Sequence, residues 1–563
     1  MNAPSPHPAP ASDRPREIDV QLVEALMRLY DEHPPEPVQA LLAQASRITG
    51  EGHVYLDLTL ADPAAVNALD TFPALVGTGV GNTPFVREGN RLYLRRFWQY
   101  EQQVAARLMH LAQAPAVRDV NDWQAAIAAT GLSAEQQTAL RKALENRLTI
   151  ITGGPGTGKT TVAAHCLRLL AAIRPAEPLR VRTAAPTGKA AARIDESLHE
   201  QLGEANRIPE PAATIERLLG FQRGSPYFVH NRENPLAADV VLIDETSMID
   251  LPKMAKLLEA ISEHTQLILL GDKDQLASVE PGSVLAELCQ AVPLQPCVAT
   301  LTQSHRFPPE SPVARLSRAV NRGAAAEAWQ QAQASAQSDA GRVVTRNGLG
   351  FNATNPPPAF SAAVREGFQP FLDATDAPAA FAALRRFRVL CALRRGPQGV
   401  ERINRAIEDL LLPDRQGVFY DHRVILITRN HPDLNLYNGD VGIVLATPSR
   451  APCACFETAA NAFRTVPCGL LPDHETAFAM TVHKAQGSGF GQVVLVLPDQ
   501  DSPVLTRELI YTAITRAEMG VEMWCTEAAF KAGVNRPTQR NMGLKDRLAT
   551  WPSNEAVRDT RWD

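Results

Sequence analysis

Short apolar runs alternate with segments of helical periodicity in the middle of the chain, and polar residues gather where the apolar runs end. Four runs have the length and composition of buried strands, at 148–152, 179–184, 239–243 and 267–270. After the first run, apolar residues recur at helical spacing: Val162, Ala163, Cys166, Leu169, Leu170 and Ile173. Strands and helices that alternate in this way predict an α/β fold with a parallel sheet.

The first apolar run leads into residues 150–161, IITGGPGTGKTT, which have the order that a nucleoside triphosphate site requires. The glycines allow backbone N–H groups to surround phosphate oxygens at the start of a helix. Lys159 can reach the β- and γ-phosphates, and the Thr160 hydroxyl can ligate Mg²⁺. The pattern predicts ATP and Mg²⁺ as cofactors, held by this P-loop: Gly153, Gly154, Pro155, Gly156, Thr157, Gly158, Lys159, Thr160 and Thr161.

Acidic and amide side chains follow the third and fourth apolar runs. Ligands sit at the carboxyl ends of parallel strands in open α/β sheets. Asp244, directly after the third run, is predicted to be the second Mg²⁺ anchor, and Glu245 beside it to polarise the attacking water. Gln275, after the fourth run, fits a γ-phosphate sensor that orients this water. Paired acids could also be helix caps, but their place at a strand end beyond a P-loop favours catalysis.

Composition limits the class of protein. A chain of 563 residues suggests roughly three or four domains, and its hydrophobic fraction of 45% is that of a globular protein. No apolar run is long enough to span a membrane, and residues 1–15 lack the apolar core of a signal peptide. Eight scattered cysteines fit the reducing cytoplasm. With a net charge of −5, any nucleic-acid contact requires a local basic groove.

A series of segments, taken in order with the P-loop, resembles superfamily 1 DNA helicases and, within them, the RecD subunits of RecBCD enzymes. The segments are PTGKAAAR (186–193), LIDETSM (242–248), GDKDQLASVEPG (271–282), LTQSHRF (301–307), AMTVHKAQGSGF (479–490) and YTAITRA (511–517). Residues 91–101 and 387–397 point the same way, and the resemblance covers roughly 18–547. The resemblance implies a motor that binds ATP between two lobes.

The resemblance also implies an α/β architecture of two RecA-like P-loop lobes with parallel sheets, a helical N-terminal domain and a small SH3-like β insertion. We expect a disordered leader at 1–17, a partner-docking domain at 18–120, lobe 1A at 125–325 with a hairpin insertion at 222–235, a loose linker at 326–364, lobe 2A at 365–415 and 475–545, the β insertion at 416–474 and a disordered tail at 547–563. The linker follows from a composition rich in Ala, Gln, Asn and Pro.

Further site residues are implied by their match to the family's motifs. Arg516 matches the arginine finger, Arg306 a second arginine at the γ-phosphate, and Gln136 the glutamine that reads adenine. A single DNA strand is expected to contact Thr187, Lys189, Thr214, Thr481, His483 and Lys484. Helix caps and ordinary surface residues are the alternative interpretations of these six positions.

Besides Ala485, which replaces a serine, the chain departs from the family's pattern at three positions outside the catalytic set. Glu216 stands where histidine is usual, His305 where tyrosine is common, and Gly489 where a glutamate is often found. Glu216 would place negative charge near the expected DNA path. The departures bear on motor speed and DNA affinity rather than on the reaction class.

The leading interpretation is an ATP-dependent 5′→3′ DNA helicase subunit that processes double-strand ends for recombinational repair. RecB-like and RecC-like partners would complete a heterotrimer in the cytoplasm, at the nucleoid. Nuclease activity is expected in the RecB-like subunit, because no acidic-plus-lysine cluster outside the ATP motifs would hold two metal ions. A stand-alone superfamily 1 helicase is a second interpretation, although the helix-hairpin-helix repeats of those relatives are not seen here. The third is a regulatory or scaffolding subunit with weak ATPase.

Overall fold

The computed structural model describes residues 15–551, apart from 118–122, 174–177, 204–207, 209, 223, 226, 307, 309, 335–341, 349–351, 353–354, 448–449 and 459–461. No helix within this described part of the chain has the length and apolar character needed to cross a membrane.

The N-terminal region packs helices around a small sheet that the hydrophobic pattern did not predict. Helices α1–α5 are Glu17–Tyr30, Glu36–Thr49, Pro63–Ala68, Arg95–Gln113 and Gln124–Ala128, and strands β1–β4 are Tyr55–Asp57, Val76–Gly77, Phe85–Glu88 and Arg91–Leu94. The strand order is β1-β4-β3-β2. Strands this short contain too few residues for their alternation to be recognised. Of the expected leader, residues 1–14 lie outside the described part, and α1 begins at Glu17.

Lobe 1A is built on a six-stranded parallel sheet. Strands β5–β10 are Leu148–Gly153, Val181–Ala185, Ala213–Thr214, Val240–Ile243, Gln266–Gly271 and Val298–Leu301, and helices α6–α11 are Ala134–Glu145, Lys159–Ile173, Gly188–Leu202, Ile215–Leu218, Leu251–Glu259 and Val284–Gln290. All four apolar runs are strands of this sheet, whose order is β10-β5-β9-β8-β6-β7. The strand order reverses beside β5, so the P-loop lies at the switch point where ligands bind. Within the expected hairpin insertion, Phe228 pairs with Phe221 in an antiparallel bridge.

The rest of the chain forms lobe 2A, an inserted β domain and a C-terminal helix. Strands β11–β20 are Arg342–Asn347, Phe387–Cys391, Val424–Ile427, Val441–Thr447, Arg450–Glu457, Phe463–Pro467, His474–Thr476, Ala479–Thr481, Phe490–Val496 and Ala517–Cys525. Helices α12–α19 are Pro312–Asn321, Ala325–Ala334, Pro358–Leu372, Ala377–Arg386, Val400–Leu411, Arg507–Ile514, Glu527–Asn535 and Leu544–Ala549. Lobe 2A has a parallel sheet of order β11-β20-β19-β12-β18.

The insertion between β12 and β18 is a five-stranded antiparallel sheet of order β16-β15-β14-β13-β17. It has its own small core, in which Ile425, Val444 and Phe456 are buried. Gly439, in the turn between β13 and β14, has a φ of +99°, a conformation that glycine adopts without strain. The two parallel-sheet lobes and this insertion confirm the predicted fold class.

Residues 326–334 and 342–347, within the segment 326–364, are not part of the loose linker that its composition predicted. Helix α13 turns Ala325, Ala328, Trp329 and Ala332 inward, and the Trp329 ring lies 5.5 Å from that of Phe530 on α18. Strand β11 pairs in parallel with β20 at the edge of the lobe 2A sheet. The prediction was wrong because alanine side chains are small, so their helical spacing did not stand out in the sequence. In the folded chain, the helix packs by that spacing.

The C-terminal segment leaves lobe 2A and returns to the N-terminal region, so the predicted disordered tail is wrong at its start. Arg547 on α19 donates from Nε to the buried Glu101 on α4 (2.9 Å) and from Nη2 to Glu88 (2.6 Å). The backbone N–H of Gly543 donates to Glu101 (2.6 Å). Arg540 donates to carbonyl oxygens of the N-terminal region and of lobe 1A. The sequence concealed these contacts because Arg547 and Glu101 are 446 residues apart.

We expect Arg547→Met to destabilise the chain strongly, because the Glu101 carboxylate would remain buried without its cation. Removing one partner of a buried ion pair costs about 3–5 kcal/mol. Arg322→Met is the matched control, since Arg322 forms an exposed pair with Glu327 that contributes less than about 1 kcal/mol. Urea unfolding of both variants measures the difference, and equal losses would contradict a clamping role for the C-terminal segment.

Candidate nucleotide site and interlobe cleft

The P-loop joins the carboxyl end of β5 to α7, and the Lys159 side chain forms hydrogen bonds with the backbone of the loop. Lys159 Nζ donates to the carbonyl oxygens of Gly153 (2.6 Å) and Gly154 (3.1 Å). Gly156 and Gly158 have φ values of +77° and +84°, where other residues are strained. The lysine ammonium is therefore held over the loop, where phosphate oxygens could replace the carbonyl acceptors.

Residues from two other elements cover the P-loop. Gln136, buried near the start of α6, donates from Nε2 to the carbonyl oxygen of Thr157 (3.1 Å). After β10, the His305 N–H donates to the Gly156 carbonyl (2.7 Å), and the Ser304 hydroxyl donates to the Pro155 carbonyl (3.1 Å). The structure thus brings Gln136 to the nucleotide loop, while its reading of adenine stays a prediction.

Carboxylates stand at the ends of β8 and β9, where Asp244 is half-buried and Asp272 is buried. Burial and the neighbouring Glu245 raise the pKa of Asp244 to about 6, and Lys159 opposes this shift. Burial likewise raises the pKa of Asp272, again against the effect of Lys159. Sequence reasoning did not single out Asp272, although it lies in the quoted segment 271–282. Both carboxylates face the lysine of the P-loop and would gain from a further cation.

Gln275 is held by Asp272, since its Nε2 donates to Oδ2 of this carboxylate (2.9 Å). The Tyr511 hydroxyl of lobe 2A donates to the same oxygen (3.2 Å). The amide oxygen of Gln275 is buried and has no hydrogen-bond partner among the described residues. Such an acceptor is available to a water molecule, which is what the predicted sensor role requires.

Three arginines meet at the boundary of the lobes. Arg516 is buried in lobe 2A and donates to the carbonyl oxygens of Thr512 (3.2 Å) and Ser488 (3.1 Å). Burial lowers the pKa of Arg306, and the nearby guanidinium of Arg193 lowers it further. Arg193 lies on α8 of lobe 1A, in the quoted segment 186–193, but sequence reasoning did not assign it a role. The sequence signal for Arg193 was its position four residues, about one helical turn, after Lys189.

Direct hydrogen bonds connect the catalytic loops of the two lobes. Gln486, after β18, donates from Nε2 to the carbonyl oxygen of Leu276 (2.9 Å), beside Gln275. The Leu276 N–H in turn donates to the Thr512 hydroxyl on α17 (2.9 Å). A rotation of one lobe against the other would therefore displace the loop that carries Gln275.

The six predicted DNA contacts fall into two groups. Thr187 and Thr214 cap α8 and α9 at the carboxyl ends of the paired strands β6 and β7, and Lys189 stands beside them. In lobe 2A, the Thr481 hydroxyl accepts from the Lys484 N–H (3.3 Å), and burial lowers the pKa of His483. Thr187 and Thr214 are therefore helix caps, as the alternative interpretation predicted. A hydroxyl that caps a helix can still contact a phosphate.

A cavity of about 820 Å³ opens between lobe 1A, lobe 2A and the β insertion. Its cationic lining residues are Lys189, Arg193, Arg217, Arg385, Arg388 and Arg464. Five carboxylates also line it: Asp195, Glu196, Asp440, Glu457 and Glu518. The Arg217 guanidinium lies over the Tyr437 ring of the β insertion (4.1 Å to the centroid). Sequence reasoning missed this pair, whose one signal was the place of Arg217 three residues after Thr214.

Lys189 and Arg388 both approach the ring of Phe490, at 5.7 and 5.2 Å from its centroid. Lys189 is reached by solvent, but the enclosing cavity walls and the two arginines at 388 and 193 lower its pKa. The Ser488 hydroxyl, also on the cavity lining, is buried without a hydrogen-bond partner among the described residues. Cations, an aromatic ring and an unused hydroxyl are groups that can receive a nucleic-acid backbone.

The three departures from the family's pattern have local explanations. Lys253 pairs with Glu216 at 2.8 Å, so its ammonium offsets the negative charge near the expected DNA path. His305 Nε2 lies 3.3 Å from Nε2 of Gln136, which ties it to the nucleotide loop. A Cβ on Gly489 would collide with the carboxylate of Glu518, which fills the space that a side chain would occupy.

Two family models, several relatives and solved structures are similar to this chain. The model of an AAA domain matches residues 136–281, and that of a UvrD-like helicase C-terminal domain matches residues 476–523. The RecBCD enzyme subunit RecD of Mycolicibacterium smegmatis is 38% identical, over 94% of this chain and 97% of that protein. The ATP-dependent RecD2 DNA helicase of Deinococcus radiodurans is 30% identical, over 81% of this chain and 58% of that protein. A solved structure of Pif1 helicase from Candida albicans is 17% identical and covers 70% of this chain and 94% of that chain, with a TM-score of 0.40.

We expect Gly156→Ala to reduce ATP affinity about tenfold or more, since a left-handed backbone costs other residues roughly 1–2 kcal/mol. The added methyl group would also meet Cβ of Arg306. Gly89→Ala is the matched control, because Gly89 also has a positive φ (+60°) but a Cβ there meets no described atom within 4 Å. Titration with a fluorescent ATP analogue compares the variants, and equal affinities would count against the P-loop geometry.

Proposed function

Because the chain belongs to the family of RecD subunits of the RecBCD enzyme, we propose that it is an ATP-dependent DNA helicase subunit of such a complex. The observation that carries the proposal is that Lys159 and Gln275 of lobe 1A and Arg516 of lobe 2A all lie around the Asp272 carboxylate at one interlobe boundary. ATP bound there would contact both lobes, so each hydrolysis cycle would change their relative position.

The residues fit a bound Mg²⁺ ion. Thr160 offers a hydroxyl at the start of α7 and Asp244 a half-buried carboxylate, which are the oxygen ligands that Mg²⁺ prefers. Among the described residues, no group of three or more acidic, His or Cys side chains could hold a metal alone. Phosphate oxygens of ATP would therefore complete the coordination, and the ion would neutralise charge on the β- and γ-phosphates.

Each polar group of the site has a proposed role in phosphoryl transfer. Glu245 would accept a proton from the attacking water, and the unpartnered amide oxygen of Gln275 would orient that water. Arg306 and Arg516 would stabilise the charge that develops on the transferring group. The bond from Gln486 to the Leu276 carbonyl would carry the resulting displacement into lobe 2A.

We propose that single-stranded DNA runs from the α8 and α9 caps into the cavity below the β insertion. Thr187, Lys189 and Thr214 would contact phosphates in lobe 1A, and Thr481 and His483 in lobe 2A. Lys484 is bound to Glu475 (2.6 Å), so it would have to leave this carboxylate to reach a phosphate. Tyr437 would offer an aromatic surface for a base. The direction of travel is proposed as 5′→3′.

RecB-like and RecC-like subunits are the proposed partners, and DNA double-strand ends the substrate. The N-terminal region exposes large apolar side chains that suit a partner-docking role: Ile18, Val20, Leu22, Leu29, Leu60 and Val80. Nuclease activity is proposed for the RecB-like subunit. We also propose a cytoplasmic, nucleoid-associated location, because the substrate is chromosomal DNA. The subunit role is favoured over a stand-alone helicase by higher identity over a larger share of the relative's length.

We expect Lys159→Gln to reduce ATP hydrolysis by at least about 10²-fold, as loss of one preorganised donor to a transition state does. Single-stranded DNA should stimulate hydrolysis by the unmodified chain, alone or with its partners. Lys531→Gln is the matched control, because Lys531 pairs with Glu527 on the surface of α18. Hydrolysis that ignores DNA in both the chain and the complex would favour the scaffolding alternative.

We expect Arg217→Ala to weaken binding of single-stranded DNA and to lower the slope of log affinity against log salt by about 0.7. The exposed guanidinium would release one counterion on contact with a phosphate. Arg346→Ala, which removes an arginine paired with Glu522 on β20, is the control outside the cavity. Fluorescence anisotropy at several salt concentrations gives both slopes, and an unchanged slope for Arg217→Ala would place the strand elsewhere.

A further inference from the structure

A carboxylate of lobe 2A reaches two arginines of lobe 1A across the nucleotide site. Glu518 Oε1 lies 3.9 Å from Nη2 of Arg193 and 3.9 Å from Nη2 of Arg306. Glu518 is in β20, two residues beyond Arg516, whereas Arg193 lies on α8 and Arg306 follows β10. One side chain therefore contacts both arginines of the opposite lobe, including the one assigned to the γ-phosphate.

Gly489 provides the space that this carboxylate occupies. A Cβ built on Gly489 would collide with Oε1 of Glu518 and would lie 3.5 Å from Nη2 of Arg193. The φ of Gly489 is outside the left-handed region, so its backbone conformation does not require glycine. A side chain at position 489 would therefore displace the flexible end of Glu518.

The arginines around this carboxylate repel one another. Arg193 and Arg516 both lower the pKa of Arg306, whereas Glu518 and Glu245 raise it. Arg193 likewise lowers the pKa of the buried Arg516. Glu518 and Glu245 supply negative charge to this cluster, and the γ-phosphate can add to it only while a triphosphate is bound.

We propose that Glu518 is a positioning residue that substitutes for the γ-phosphate. It holds Arg306 and Arg193 when no triphosphate is bound, and it releases Arg306 when the γ-phosphate arrives. The proposal rests on the proposed ATP-driven function and goes beyond it by assigning an internal competitor to the substrate. The contact between the lobes then persists throughout the cycle, while its anion changes from a side chain of lobe 2A to the nucleotide.

The test compares nucleotides with and without a γ-phosphate on the full-length chain. We expect Glu518→Gln, which removes the charge but keeps the shape, to tighten binding of a non-hydrolysable ATP analogue about two- to fivefold. ADP affinity should stay unchanged, because ADP does not compete for Arg306. Glu522→Gln is the matched control, the same substitution on the same strand at a residue paired with Arg346. Weaker analogue binding, or equal shifts for the analogue and ADP, would overturn the proposal.

A second variant tests the steric part. Gly489→Ala should displace the Glu518 carboxylate and tighten analogue binding in the same direction. In a Glu518→Ala background, Gly489→Ala should add no further change, because the two substitutions remove one contact. Full additivity would overturn the proposal. If the unmodified chain binds no ATP, the proposed function fails as well, whereas ATP hydrolysis stimulated by DNA with no effect of Glu518→Gln rejects the positioning role alone.

Discussion

Three guanidinium groups, of Arg193, Arg306 and Arg516, converge where the two parallel sheets face each other, and the buried one, of Arg516, requires a nearby anion. Arg516 is buried, so its charge cannot be relieved by water. The carboxylates of Glu245 and Glu518 offset part of this charge. The arrangement of the nucleotide site follows from this requirement, because a triphosphate is an anion that both lobes can share.

The same boundary connects nucleotide chemistry with the surface proposed for DNA. The loop after β18 donates from Gln486 to the loop that carries Gln275, and the Ser488 carbonyl accepts from Arg516. A Cβ on Gly487 would lie 3.5 Å from Cβ of Ala190 and 4.0 Å from Glu245. The loop after β18 therefore lies against both the loop that carries Gln275 and α8, whose first turn carries Lys189.

A second contact, between the segment that carries α19 and the N-terminal region, fixes the N-terminal region on lobe 1A. Arg547 joins the buried Glu101 to Glu88, while Arg540 bonds to carbonyl oxygens at Gly52 and Glu280. Leu544 and Leu548 of α19 complete one hydrophobic core with these elements. The polypeptide thus crosses from lobe 2A back to its beginning, which limits how far the lobes can separate.

The sequence by itself determined the elements and chemistry that depend on neighbours in the chain. The four apolar runs became strands of lobe 1A, Gly156 took its left-handed conformation, and ordered motifs indicated the family that the relatives confirm. Only the tertiary structure decided that α13 and β11 belong to lobe 2A, that Arg547 is buried, and that Glu518 fills the space at Gly489. Local periodicity and turn chemistry act over a few residues, whereas these contacts join residues tens to hundreds of positions apart and leave no periodic signal.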